Sequence, residues 1–115
     1  MTLKMRWPLL GIAVLSSASA RAANGANDYL LSVPPKVQAS TLAKAVGENC
    51  RGQTAFYEGI GRTGLSEGKG FWSVRCADGR SFSVQVNPDG TSLVLECAVL
   101  KALNAGTCFK KFPNQ

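Results

Sequence analysis

Residues 70–97 read GFWSVRCADGRSFSVQVNPDGTSLVLEC. Trp72, Val74 and Cys76 alternate with Phe71, Ser73 and Arg75, and Phe82, Val84 and Val86 alternate with Ser81, Ser83 and Gln85. A period of two marks strands with one buried face. Between the two runs, Asp78-Gly79 invites a two-residue turn, which would set Val74 opposite Ser83 and Trp72 opposite Gln85. A slip of one residue flips every side chain, so the buried face selects the register. A three-residue loop, Ala77-Asp78-Gly79 with Gly79 in the left-handed region, sets Trp72 opposite Val84 and Val74 opposite Phe82. We take the three-residue loop. The second turn is Asn87-Pro88-Asp89-Gly90, with proline suited to a type I turn and glycine to the positive φ after it. Read as a four-residue loop, it brings Leu93 and Leu95 onto the face of Val84 and Phe82. Read as a three-residue loop, it buries Val94 instead. Two leucines against one valine favour the four-residue loop.

On either side of this meander the chain reads as follows. Gln53 to Ile60 suits another strand, and Lys36 to Val46 suits a helix with Val37, Leu42, Ala45 and Val46 as a weak apolar stripe. Pro34-Pro35 opens that helix and Gly47 stops it. Cys97 to Asn104 suits a short helix that turns Val99, Leu100 and Leu103 inward. Gly59 to Gly70 is glycine-dense and is expected to be a long, mobile loop. The expected fold is α+β: an antiparallel meander of about four strands, with an N-terminal helix and a short C-terminal helix, stapled by disulfides.

The 115 residues leave room for one domain. Lys4 and Arg6 precede the apolar run Pro8 to Leu15, and Ala18-Ser19-Ala20 and Ala20-Arg21-Ala22 both suit signal-peptidase cleavage. Residues 1–22 are therefore expected to be a signal peptide, 23–35 a flexible lead-in and 36–115 a single α+β domain. Loss of residues 1–22 lowers the net charge from +6 to +3, well short of a nucleic-acid binder. A membrane contact is expected only through an uncleaved leader. The expected address is the periplasm or the exterior.

Four cysteines in an exported chain suit disulfides. They allow three pairings, among which sequence does not choose; we expect Cys50–Cys76 and Cys97–Cys108. No CxxC and no histidine is present, so no metal and no cofactor is expected.

Gly59-Ile-Gly61-Arg-Thr-Gly64 matches the glycine spacing of dinucleotide sites. It lacks the helix that the mechanism needs after it, because a strand follows. Without histidine, a serine or cysteine nucleophile has no ordinary base. Glu58, Glu67, Asp78, Asp89 and Glu96 supply carboxylates, but Asp78 and Asp89 have turn roles. The expectation is a non-enzymatic binding or accessory module, such as an inhibitor or partner of an envelope protein. A small secreted hydrolase using carboxylates and arginines, or a structural envelope protein, stands as the alternative. The candidate binding surface is Arg62, Lys69, Phe71, Arg75 and Arg80, an aromatic among cations suited to anionic ligands or acidic protein patches.

The run FWSVRCADGRSFSVQV, with the later LECAVLKALNAGTCFKKF, resembles small exported proteobacterial proteins of unassigned function over roughly Cys50 to Phe112. That resemblance implies an exported, cysteine-containing domain and no particular activity. A helix packed on an antiparallel meander is also similar in outline to PepSY-type periplasmic modules, which implies an inhibitory or accessory role.

Overall fold

The computed structural model describes residues 23–113 and Gln115. The expected leader, residues 1–22, lies outside the described residues. Two helices, α1 (Gly25–Ser32) and α2 (Pro35–Val46), precede the strands β1 (Gly52–Ile60), β2 (Gly70–Cys76), β3 (Ser81–Val86) and β4 (Ser92–Glu96). A short helix α3 (Cys97–Ala102) follows. The strands form one antiparallel sheet in sequence order. The fold is α+β, as its alternation implies.

Packing follows from the two faces of the sheet. Trp72, Val74, Cys76, Phe82, Val84 and Val86 point to one side and form the core with Leu30, Leu42 and Val46 of the helices. Pro35 sits at the start of α2, and Gly47 ends it at φ 68°, with its N–H donating to the Ala43 carbonyl. Helix α2 lies so close to β1 that a Cβ at Gly52 would run into the Ala39 carbonyl. Both bridges form as expected, Cys50–Cys76 tying the start of β1 to the end of β2 and Cys97–Cys108 closing over α3.

The β2–β3 hairpin has the three-residue loop. The Cys76 N–H donates to the Arg80 carbonyl at 2.8 Å, Gly79 takes φ 93°, and Trp72 faces Val84. The β3–β4 hairpin corrects the sequence reading. Asn87 N–H donates to the Thr91 carbonyl at 2.9 Å, so three residues make the loop, and Val94 faces Val84. Leu93 and Leu95 therefore lie on the opposite face, 53 % and 36 % exposed.

A second correction concerns residues 23–35, expected as a flexible lead-in. They contain α1, and that helix is part of the core. The Asn24 side chain caps it by accepting from the Asn27 N–H at 3.0 Å, while its Nδ2 donates to the carbonyls of Gly68 and Val86 at 2.9 and 2.8 Å. Asn27 in turn accepts from Trp72 Nε1 at 2.7 Å and donates to the Tyr57 hydroxyl at 3.2 Å. Both asparagines are buried. Asn24→Ala removes the cap and leaves two backbone carbonyls without partners, so we expect it to cost about 2–3 kcal/mol. Urea unfolding of this variant measures the loss, and a midpoint equal to that of the parent would refute the anchoring role.

Of the Gly59–Gly70 stretch, expected as a long, mobile loop, Gly59 and Ile60 end β1, Gly70 begins β2, and the 61–69 connector is folded back on itself. It contains a 3-10 turn (Gly64–Ser66), Gly61 N–H donates to the Lys69 carbonyl, and Gly68 N–H donates to that of Gly61. Asn24 then holds the Gly68 carbonyl from the other side. The glycines permit this close return, and the polar contacts fix it.

Candidate functional site

The second face of the sheet carries Phe56, Glu58, Phe71, Ser73, Arg75, Ser83, Gln85, Leu93 and Leu95, as the strand register dictates. It is not bare. The segment after α3, held by the Cys97–Cys108 bridge, returns across it. Phe109 packs on Phe56 at 6.2 Å between ring centroids, and Phe112 packs on Phe71 at 5.2 Å. The Phe112 N–H donates to the Glu58 carbonyl at 2.9 Å, and the Ile60 N–H donates to Gln115 Oε1 at 3.0 Å. The C-terminal segment thereby satisfies backbone groups of β1, an edge strand.

Glu58 lies at a register shift between Tyr57 and Gly59, where β1 carries one residue more than β2. Bulges of this kind re-aim a side chain. The Glu58 carboxyl points under the returning segment, and the residue is 4 % exposed. Its Oε2 accepts from Ser73 Oγ at 2.5 Å and from the Phe109 N–H at 3.0 Å, and Ser73 Oγ itself accepts from that N–H at 2.9 Å. Among the described residues the ion pairs are those of Arg80, so the carboxyl has no cationic partner.

Beside this carboxyl is a cavity of about 240 Å³, walled by Phe71, Phe112, Leu93, Leu95 and Leu100 and closed by the 105–107 turn. Ser83 and Gln85 add polar groups to its lining. An apolar cavity with a few polar groups is the ordinary form of a small-ligand site, and this one is somewhat smaller than the usual range.

The five residues expected to form a binding surface are divided between different environments. Phe71 is in the cavity wall. Arg75 lies on the same sheet face, with its guanidinium 5.2 Å from the centre of the Phe109 ring. Arg80 lies over Phe82 on the helix-covered side and is tied to Asp78 and Glu48. Arg62 is exposed on the connector and Lys69 is half-buried there. Sequence reading missed Ser73, Leu93, Leu95, Leu100 and Phe112 as site residues. The one signal for them was the excess of leucines over inner positions in Leu93-Val94-Leu95.

Of the other carboxylates, Asp78 and Asp89 do hold turns. The Arg80 N–H, followed by its side chain, holds the Asp78 carboxyl below its usual value, and the Thr91 hydroxyl and N–H do the same for Asp89. Glu67 is exposed on the connector. Glu58 moves the opposite way. Burial pushes its carboxyl above the ordinary 4.5, and the donors Ser73 Oγ and the N–H groups of Phe109 and Lys110 partly oppose the shift.

Stability responds to pH with opposite signs at these groups. The native state holds the Glu58 proton more tightly than the unfolded chain, so this contribution is complete below 4.5 and is lost as pH rises through the raised native value. Asp78 and Asp89 contribute stability above 3.8 that is lost as pH falls through their lowered values. The two windows do not overlap. Urea midpoints measured from pH 4.5 to neutral are expected to fall in the parent and to stay level in Glu58→Gln. Equal slopes in the two proteins would remove Glu58 as the cause.

No family model, no curated protein and no solved structure matches this chain.

Proposed function

We propose that the protein is a small exported binding module, an accessory or inhibitory partner of an envelope protein, that performs no reaction of its own. The observation that carries this reading is the outer face of the sheet. There a disulfide-tethered segment and a bulged strand build a cavity with one buried carboxyl, and the short helix that precedes the segment exposes Val99 and Leu103. An apolar-walled cavity and exposed apolar side chains on the element next to it suit recognition. Two disulfides in a small domain are compatible with an oxidising compartment, and the leader-like residues 1–22 supply the address in this reading. The test is photo-cross-linking from position 103 in the native envelope. Capture of one defined protein, lost on competition with unlabelled domain, supports the module; recovery of no partner at any salt concentration refutes it.

A carboxylate hydrolase is the second reading, favoured by the raised carboxyl of Glu58, since general acids are tuned upward in this way. Any hydrolytic activity of the purified protein should then vanish in Glu58→Gln and in Ser73→Ala, and its survival in both would end that reading.

A further inference from the structure

We propose that the outer-face cavity binds a small organic ammonium, with its charged head on the Glu58 carboxylate and its apolar body between Phe71, Phe112 and the leucines. The inference deepens the binding-module reading and rests on it.

Three observations lead to this ligand class. Glu58 is buried, lines the cavity and, among the described residues, accepts hydrogen bonds from the Ser73 hydroxyl and the backbone N–H of Phe109, with that of Lys110 beside them. Donors of this kind serve the ionised carboxylate, yet no cation within the described protein pairs with it. A buried carboxylate without a counter-ion takes up either a proton or a positively charged partner.

Three cations of the protein are engaged elsewhere. Arg75 stacks on Phe109, Lys111 lies 5.7 Å over the Tyr57 ring, and Arg80 is paired at the far end of the sheet. The aromatic rings of Phe71 and Phe112 flank the site and attract positive charge at their faces.

Size narrows the class. A dry cavity of about 150 Å³ accommodates benzene, so about 240 Å³ admits one ring with a short amine tail and excludes a folded peptide. The occupant in this proposal is a free small molecule with one ammonium group. Binding involves only non-covalent contacts, with a proton leaving Glu58 when the cation arrives.

Titration of the oxidised protein with 2-phenylethylammonium, 2-phenylethanol and 3-phenylpropanoate, followed by amide NMR, tests the assignment. The ammonium should saturate the amides of Glu58, Phe71, Leu93 and Leu100. The alcohol should bind about tenfold or more weakly, because it cannot pair with the carboxylate. Glu58→Gln should weaken the ammonium about tenfold or more and leave the alcohol nearly unchanged. Should that variant fail to fold, Ser83→Phe fills the cavity from the sheet and leaves Glu58 in place; loss of ammonium binding supports the proposal. Equal binding of alcohol and ammonium, tighter binding of the anion, binding that survives Ser83→Phe, or no binding at all would overturn it. A partner captured from position 103 alongside a blank titration would reject the ligand class and spare the module, whereas capture of no partner would reject the module whatever the titration shows.

Discussion

Trp72→Ala is expected to lower the free energy of unfolding by about 5 kcal/mol. Trp72 is the largest fully buried side chain among the described residues; it lies 4.8 Å from the Tyr57 ring and donates its indole N–H to Asn27. Truncating a buried tryptophan costs about 3–5 kcal/mol through lost burial and the cavity left behind. Asn27 then loses a partner in a buried position, which adds about 1–3 kcal/mol. A domain of this size has about 5–14 kcal/mol to lose, so the variant should be marginally folded at room temperature. Circular dichroism through a urea series gives the number. Trp72→Phe separates the two causes, since it keeps most of the volume and removes only the donor. It should cost about 1–3 kcal/mol, and a cost near zero would mean that the indole–asparagine bond contributes nothing.

Removing the Cys50–Cys76 bridge as Cys50→Ala with Cys76→Ala should cost about 3.5 kcal/mol, on the loop-closure account. The two cysteines are separated by 26 residues, against 11 for Cys97–Cys108. The same account gives about 2.8 kcal/mol for the shorter loop. Packing widens the difference. Cys76 is fully buried in the core beneath α2, whereas α3 has no buried residue. Urea unfolding of each double variant should therefore rank the first bridge above the second. The reverse order would show that the returning C-terminal segment, and not the tie between β1 and β2, dominates stability.

The two hairpins show how far sequence reading reaches. At the first, both candidate registers could be compared by which residues they set opposite one another, and only one matched apolar to apolar. At the second, counting two leucines against one valine assumed that the other face of the sheet is wet. That assumption fails because α3 and the segment to Phe112 return over this face, so Leu93 and Leu95, though still partly exposed, line a cavity with Leu100 and Phe112. Helix α1 escaped notice for a related reason. AANGANDYLLS has little apolar periodicity, and what orders it is a pair of asparagine side chains reaching into the sheet. Neither the cap at Asn24 nor the carbonyls it holds entered the sequence reading.

The order of the strands, the first hairpin register, the stops at Gly47 and Gly79 and the α+β class were determined by the sequence alone, because each depends on residues a few positions apart. The α1 anchor, the carboxyl of Glu58 and the cavity beside it were decided only in the tertiary structure. Their partners are distant in the chain: Asn24 bonds 62 residues ahead to Val86, and Glu58 accepts from Phe109, 51 residues on. A buried polar group takes its partner from whatever the folded chain brings within about 3 Å. No local pattern encodes that choice, so the site becomes visible only once the second face of the sheet has been covered.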